Sequence, residues 1–530
     1  MNRTLLIRSV SVFFLSISIS LYGWSQSPPQ DWFNLDPKAD GFYGVGTEKA
    51  YNDLLKNRTA QTVVVAVIDG GTDITHEDIA PSLWTNTKEI AGNGIDDDKN
   101  GYADDVHGWN FIGGKDGDVQ YDTFELTRLY KLLHDKYGSI SAGAVPVAEK
   151  EEYSRYLAIK NDYESKSMES RQNYQLYNGI LQSLTTMLAD IGTEDPTLDQ
   201  VEGFISANDS TLITQQMLIA ILKEGASVKE VMNEIREGVQ HVESAAKYHF
   251  NPEYDPREIV GDNYNDVADR FYGNNSLQGP EATHGTHVAG IIAAVRNNNV
   301  GMNGIADHAQ LMIIRVVPDG DERDKDVANG IRYAVDNGAK VVNMSFGKAY
   351  AYNKNAVDEA VKYAESKDVL LVHAAGNDAN SNDKSPRYPS DDFVDGSTPN
   401  NWLEVGATSW NNEVAPFSDF GKKTVDVWAP GVSIYSTVPG NKYRNLQGTS
   451  MASPVAAGVA ALLRSYFPQL TAPQVKEVLM KSVVKMAKKV VEPGSAANKI
   501  KKVKLKRISV TGGVVNAYKA VKLAEKITSK

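Results

Sequence analysis

Runs of β-branched and other apolar residues recur along the chain and are separated by amphipathic helical patterns. The runs lie at 61–73, 309–317, 339–347, 369–377 and 402–409, and helical patterns cover 326–338 and 355–368. Apolar runs of this length without alternation are typical of strands buried on both faces of a parallel sheet. Strands that alternate with helices predict an α/β fold with a mainly parallel β-sheet flanked by helices.

Residues 121–250 lack such strand runs. Their apolar residues follow helical spacing instead, first Leu126, Leu129, Tyr130, Leu133 and Tyr137, then Val228, Val231, Met232, Ile235, Val239 and Val242. This spacing predicts a helical insertion over 121–250. The α/β domain would then have a first part at 61–120 and a second part at 251–530, preceded by a lead-in at 26–60.

The first 25 residues have the pattern of a secretory signal peptide. Arg3 and Arg8 precede a short apolar run at 10–21, and Gly23 and Ser25 place small residues at a cleavage site. The apolar run is shorter than the roughly 20 residues that a membrane-spanning helix needs. We therefore expect an exported protein, periplasmic, cell-surface or extracellular, with no integral membrane segment after signal removal.

Composition excludes several function classes. The formal net charge of −12 argues against nucleic acid as a partner, because nucleic-acid-binding proteins usually carry a basic face. Cysteine is absent, which excludes disulfides, thiolate metal sites and a cysteine nucleophile.

Three polar residues occupy positions where an α/β sheet builds its sites. Asp69 ends a strand run, and His284 and Ser450 each begin an apolar helix. A serine becomes nucleophilic when a histidine takes its proton and a carboxylate orients that histidine. Asn377, at the end of another strand run, supplies an amide for the oxyanion. Singly, each of the first three has an ordinary alternative as a turn residue, a structural histidine or a helix cap, and His287 reads as such a structural histidine.

The segments around these residues resemble the signatures of the subtilases, the subtilisin-like serine proteases. "VIDGGTD", "HGTHVAG" and "GTSMASP" occur in the family's order of Asp, His and Ser. The resemblance implies a subtilisin-like fold and a secreted serine endopeptidase that hydrolyses protein or peptide substrates through an acyl-enzyme. It implies a triad of Asp69, His284 and Ser450, with Asn377 as oxyanion donor. By the same resemblance the substrate-binding residues are Ser345, Phe346, Gly347, Ala375 and Gly376.

A dense acidic loop covers residues 93–111 and begins like an EF-hand calcium loop. The predicted ligands of a structural Ca²⁺ are Asp96, Asp98, Asn100, the carbonyl of Tyr102, and Asp105. The loop departs from the EF-hand pattern because His107 stands at the twelfth position, where a glutamate is expected. The alternative is a solvated acidic turn.

The insertion lies between the aspartate and histidine segments, so we expect it to emerge near the active-site cleft. It could bind substrate, act as a lid, serve as an inhibitory module or simply stabilise the fold. An alternative function is that of an inactive subtilase-fold binding protein whose insertion is the interaction surface. The presence of all four chemical residues argues against that alternative.

Overall fold

The computed structural model describes residues 28–529 apart from Glu224, Ala226 and Ala497. The predicted signal peptide at 1–25 lies outside the described residues. Among the described residues, no helix combines the length and the apolar character that crossing a membrane requires.

A nine-stranded sheet forms the centre of the molecule. The strands of the described residues are β1 Val63–Asp69, β2 Gly108–Asn110, β3 Gly113–Gly114, β4 Gly117–Asp118, β5 Ala309–Arg315, β6 Val341–Met344, β7 Leu370–Ala374, β8 Trp402–Thr408, β9 Val427–Pro430, β10 Ile434–Val438, β11 Lys442–Leu446, β12 Val484–Lys485, β13 Val490–Val491, β14 Lys502–Val503 and β15 Gly513–Val514. The strand order of the large sheet is β12-β15-β9-β8-β7-β6-β1-β5-β2. All neighbours pair in parallel except β12 and β15, which confirms the predicted mainly parallel α/β fold.

Helices cover both faces of this sheet. The α-helices of the described residues are α1 Thr47–Ala50, α2 Glu125–Tyr137, α3 Lys150–Ile191, α4 Leu198–Glu202, α5 Asp209–Lys223, α6 Val228–Ser244, α7 Arg257–Val260, α8 Thr283–Ala293, α9 Asp324–Asp336, α10 Lys354–Ser366, α11 Thr449–Tyr466, α12 Ala472–Ser482 and α13 Ala517–Thr528. Short 3₁₀ turns lie at Trp32–Asn34, Ala80–Ser82, Ala142–Ala144, Val147–Glu149 and Leu505–Arg507, and π-helical turns at Tyr51–Leu55 and Ala245–His249.

Strand β1 shows why the strand runs are apolar throughout. Val65 and Val67 pack into the core on the side of α8 and α11, whereas Ala66 and Ile68 pack on the side of α9 and α10. Side chains alternate between the two faces of a strand, so a strand covered on both sides needs apolar residues at every position. This burial fixes the carboxyl end of β1 between β6 and β5.

Residues 121–250 fold into helices α2 to α6. The 42-residue α3 is about 63 Å long at 1.5 Å per residue and connects two separate apolar clusters. The first cluster, near the sheet, contains Leu126, Leu129, Leu133, Tyr137, Tyr156, Ile159 and Tyr163. The second, here called the distal cluster, is formed by the far half of α3 with α4, α5 and α6 and contains Leu184, Met187, Leu188, Val201, Met217, Leu218, Ile221, Val228, Val231, Met232, Ile235 and Val239.

The lead-in packs into the main core. Trp32 and Phe33 are completely buried, and the Trp32 indole donates a hydrogen bond to the Ser433 carbonyl at 2.9 Å. The Asn34 amide donates to the Asn303 carbonyl at 2.9 Å. Residues 28–60 therefore share one core with the α/β domain.

Candidate active site

Asp69 and His284 meet at the carboxyl end of β1. Asp69 is the last residue of that strand, and His284 is the second residue of α8. The helix approaches the turn after β1 so closely that a Cβ at Gly285 would lie 2.2 Å from the Gly71 carbonyl oxygen. Glycine at 285 is thus required to bring the two side chains together.

The two side chains form a direct hydrogen-bonded pair. His284 Nδ1 lies 2.8 Å from Asp69 Oδ1 and 3.0 Å from Oδ2. Asp69 is almost buried, with 5% of its side chain exposed, whereas 43% of the imidazole is exposed to the cleft. Burial lowers the pKa of His284, but the charge and hydrogen bond of Asp69 outweigh it, so the pKa is raised above the ordinary 6.5. A carboxylate on Nδ1 keeps the proton there and leaves Nε2 as the base.

Ser450 lies in the first turn of α11, directly after Gly448 and Thr449. Its hydroxyl donates to the Ser345 carbonyl at 3.1 Å, and the Ser345 hydroxyl donates back to the Ser450 carbonyl at 2.8 Å. The predicted nucleophile is therefore linked directly to the predicted substrate strand. Deprotonation by His284 requires the hydroxyl to turn away from Ser345 through a staggered rotation, and catalytic hydrogen bonds often form only with substrate present.

Asn377 is exposed beside the start of α11, and Thr449 fixes the orientation of its amide. The Thr449 N–H and hydroxyl both donate to Asn377 Oδ1, at 2.8 and 3.0 Å. The Thr449 hydroxyl in turn accepts from the Gly376 N–H at 3.1 Å. Because the oxygen of the amide is held twice, its Nδ2 donor is left on the opposite side. Sequence reasoning missed this role of Thr449, although the unpaired N–H groups at a helix start are a signal for it.

The remaining predicted substrate residues border this region. Gly376 has a φ of +111°, and a Cβ there would lie 2.2 Å from Asp419 Oδ2, so only glycine fits. Ala375 is fully buried, and its N–H donates to the Val405 carbonyl at 3.0 Å. Gly347 lies at the end of the Ser345–Phe346 segment, and a Cβ there would lie 3.3 Å from the Tyr388 carbonyl oxygen.

A cavity of about 290 Å³ lies beside the histidine. Its lining consists of Asp69, Gly70, Gln120, Pro280, Glu281, His284, Arg315, Val317, Pro318, Asp319, Ser345 and Phe346. Segment 317–319 forms one wall and segment 345–346 the other. Gln120 comes from the chain that enters the insertion, a contribution that sequence reasoning missed because its position depends on tertiary folding.

The other histidine of the motif, His287, is structural. It is fully buried, and its Nε2 donates to the carbonyls of Ile434 and Arg444, both at 3.0 Å. Burial lowers its pKa to about 4. A neutral imidazole that makes two hydrogen bonds in the core fits the structural role that the sequence predicts for His287.

The acidic loop brings carboxylates together, but not in the combination that the sequence predicts. Oxygens of Glu89, Asp96 and Asp98 lie within 4.8 Å of one another. Glu89 was missed because it lies outside the EF-hand-like segment. It is bound to the loop, since its two oxygens accept from the N–H groups of Asp98 and Asp104 at 3.1 and 2.9 Å.

Asp105 and Asn100, two of the other predicted ligands, use their side chains in hydrogen bonds to protein groups. The Asp105 carboxylate is buried and accepts from Asn86, Asn100 and Tyr333 at 2.8, 3.0 and 2.6 Å. Burial raises the pKa of Asp105. Asn100 Oδ1 accepts from the Tyr102 N–H at 2.8 Å. The loop therefore has a cluster of three carboxylates, whose hard oxygen atoms suit Ca²⁺. Asp105 lies outside this cluster and stabilises the loop through its hydrogen bonds.

Comparison with known proteins places the chain in one family. The sequence profile of the subtilase family matches residues 60–504. The chain is 40% identical to thermitase of Thermoactinomyces vulgaris over 213 residues, which covers 39% of this chain and 72% of thermitase. It is 41% identical to subtilisin DY of Bacillus licheniformis over 199 residues, covering 37% of this chain and 68% of that protein. A solved protease structure from Pseudoalteromonas arctica PAMC 21717 aligns with 94% of this chain and 100% of its own, at 20% identity and a TM-score of 0.47. On the strength of the family match, this chain belongs to the subtilase family and is a serine endopeptidase that acts on protein substrates.

Proposed function

We propose that this chain is an exported, calcium-stabilised endopeptidase that cleaves peptide bonds through an acyl-enzyme on Ser450. The observation that carries the proposal is the 2.8 Å bond between His284 Nδ1 and Asp69, next to a cavity that reaches Ser345. Ser345 is hydrogen-bonded to the Ser450 hydroxyl, so the base and the nucleophile border the same cleft.

In the acylation half-reaction, Ser450 Oγ attacks the carbonyl carbon while His284 Nε2 takes the hydroxyl proton. The carbonyl electron pair moves to oxygen, where the Asn377 amide and the Ser450 N–H donate hydrogen bonds to the oxyanion. When the intermediate collapses, the C–N bond breaks and His284 gives its proton to the leaving amine. Asp69 remains ionised and stabilises the imidazolium while it exists.

In the deacylation half-reaction, water takes the place of the amine. His284 removes a proton from the water as its oxygen attacks the acyl carbon, and the same two donors stabilise the second oxyanion. Collapse breaks the bond to Ser450 Oγ, which recovers a proton from His284. The products are a carboxylic acid and the free enzyme.

The acidic loop fits a structural Ca²⁺. Glu89, Asp96 and Asp98 supply hard oxygen donors of like charge whose mutual repulsion a divalent cation would relieve. A bound ion would cross-link the loop and would take no part in the reaction. The export proposal rests on the N-terminal sequence.

Labelling with a fluorophosphonate, which phosphonylates an activated serine, tests the proposal. Purified wild type should be labelled, and Ser450→Ala should not. Ser465→Ala is a matched control, because Ser465 lies on the same helix, is buried, and its hydroxyl donates to the Leu462 carbonyl of that helix at 3.0 Å. Labelling that persists in Ser450→Ala contradicts the assignment, and no labelling of folded wild type would favour the inactive binding protein.

A further inference from the structure

The two segments that form the walls of the active-site cavity, 317–319 and 345–346, are connected by side-chain contacts further along the chain. If Ser450 is the nucleophile, as proposed above, the leaving amine must lie at His284 to receive its proton. The acyl side of the substrate then runs away from the imidazole along Ser345, Phe346 and Gly347. Segment 317–322 follows β5, and the segment from Ser345 follows β6. Because β5 and β6 flank β1, the two segments border the cavity on either side of Asp69.

Lys348, the next residue of the substrate strand, joins the two walls. Its Nζ donates to the Glu322 carbonyl of the opposite wall at 2.7 Å. It also binds Glu125 Oε2 at 2.8 Å and Asp324 Oδ1 at 2.7 Å. Only 1% of the Lys348 side chain is exposed, so the space between the walls is filled at this point.

Arg128 of the insertion closes the same end of the groove. Its guanidinium donates to the carbonyls of Asp321 and Glu322 at 3.2 and 3.4 Å and pairs with Glu125 at 2.9 Å. Glu125 and Arg128 both lie in the first turn of α2, and the Glu125 N–H donates to Asp321 Oδ2 at 2.8 Å. The first turn of α2 thus contacts Lys348 of one wall and Asp321 and Glu322 of the other.

These contacts also use the backbone acceptor that an extended substrate would need. A peptide that pairs with a groove wall does so through main-chain hydrogen bonds, as in strand addition. The Glu322 carbonyl is already bonded to Lys348 and Arg128, so it is not available to a substrate N–H. An extended substrate that reaches Glu322 therefore meets a wall whose carbonyl acceptor is already used.

We infer that the insertion limits the acyl side of the substrate groove to about three residues, because Lys348 follows Ser345 by three positions at about 3.3 Å each. Substrates must end or turn away after the third acyl-side residue. The preferred class is therefore chain termini and flexible, turned segments rather than long extended strands. Lys348 and Glu125 are the specificity-determining residues, and neither touches the reacting atoms.

A length series of peptides tests this inference on the wild-type protein. N-acetylated peptides of one to six acyl-side residues carry a coumarin amide as leaving group, with the residues nearest the coumarin held constant. We expect kcat/KM to rise up to three residues and then change by less than about two-fold, because binding energy beyond the groove adds nothing. A further gain of about ten-fold or more between three and six residues would overturn the inference.

A double variant tests the role of the lysine itself. Lys348→Met with Glu125→Gln removes both charges of this pair together. Asp324 keeps the N–H groups of Tyr352 and Asn353 as donors, and Arg128 keeps Asp122 as a partner. The ratio of kcat/KM for the six-residue peptide to kcat/KM for the three-residue peptide should then be at least about five-fold higher than in wild type. Lys362→Met with Glu359→Gln is the control, since this pair is exposed on α10 at 2.9 Å. An unchanged length profile in a folded double variant would overturn the assignment to Lys348.

The proposed function and the limited groove can be refuted independently of each other. Fluorophosphonate labelling of Ser450 reports the nucleophile whatever the length profile. Loss of labelling in wild type would refute the proposed function, whereas intact labelling with a continuing rise beyond three residues refutes only the limited groove. If the double variant does not fold, the wild-type length series alone decides.

Discussion

Thr449 is expected to act on catalysis through Asn377. Thr449→Val keeps the shape of the side chain but removes the hydroxyl, which holds Asn377 Oδ1 at 3.0 Å and accepts from the Gly376 N–H at 3.1 Å. The Thr449 N–H still holds the amide oxygen at 2.8 Å, so the donor would be loosened rather than lost. Thr449→Ser keeps the hydroxyl and is the matched control.

The size of the effect follows from these bonds. Removing an oxyanion donor entirely, as in Asn377→Ala, costs about 2.7–4 kcal/mol, or about 10²- to 10³-fold in kcat. Losing one of two neutral hydrogen bonds on Asn377 costs about 0.5–1.5 kcal/mol, which is about 2- to 13-fold in kcat. Unpairing the Gly376 N–H also destabilises the fold by about 1–3 kcal/mol, so rates must be measured well below the unfolding transition.

The assay compares five proteins: wild type, Thr449→Val, Thr449→Ser, Asn377→Ala, and the double variant Thr449→Val with Asn377→Ala. Steady-state kcat and KM on a peptide amide are measured for each. If Thr449 works through Asn377, its substitution should change kcat in the wild-type background and have almost no effect in the Asn377→Ala background. Equal losses in both backgrounds, or an equal loss in Thr449→Ser, would refute the reasoning.

Four further outcomes are expected. Because the pKa of His284 is raised above 6.5 and acylation needs neutral imidazole, kcat/KM should fall as the pH drops through that raised value. Asp69→Asn should move this fall to lower pH while reducing kcat by about 10⁴-fold, and an unmoved pH profile would contradict the pairing. Added Ca²⁺ should raise the melting temperature of wild type but not of Glu89→Gln. At a Ca²⁺ concentration of 100 times Kd, the stabilisation of wild type should be about 2.7 kcal/mol. Glu169→Gln, at an exposed position, is the control and should behave like wild type. Trp32→Ala should cost about 3–5 kcal/mol in urea unfolding, whereas a change near zero would mean that the lead-in is peripheral.

Features with a local signature were predictable from the sequence. β1 is apolar from Val63 to Ile68 because both faces are covered, and Asp69 ends it, so the run predicted the strand and its polar end together. His284 and Ser450 each begin an apolar helix, and their segments are distinctive on their own. The helical spacing at 126–137 equally reflects one helix face buried in a local cluster.

Features that depend on distant residues were not predictable in this way. Glu125 and Lys348 are 223 positions apart, and nothing in either local sequence indicates that the two form a buried pair. Glu89 joins Asp96 only because backbone N–H groups of the loop fold back onto its carboxylate. Trp32 belongs to a stretch with too few apolar residues to show a period, although it is completely buried.

The architecture of the insertion decides which deletion is informative. Removing 122–250 would also remove Glu125 and Arg128 and leave Lys348 with fewer partners in a buried site, where losing one partner of a charge pair costs about 3–5 kcal/mol. The distal cluster can instead be removed by itself, because Tyr174 on α3 bonds Glu243 on α6 at 3.3 Å and marks where the two helices lie side by side.

Replacing residues 175–242 with a short flexible linker should therefore leave fluorophosphonate labelling and cleavage of three-residue acyl peptides within about two-fold of wild type, since the linker needs to span only neighbouring helices. Cleavage of folded protein substrates separates the remaining roles. A selective loss there indicates that the distal cluster binds substrate, and a gain indicates that it acts as a lid. Unchanged cleavage of both substrate types indicates that the distal cluster only stabilises the fold. A loss of short-peptide cleavage in a folded deletion protein would contradict the separation of the distal cluster from the active site.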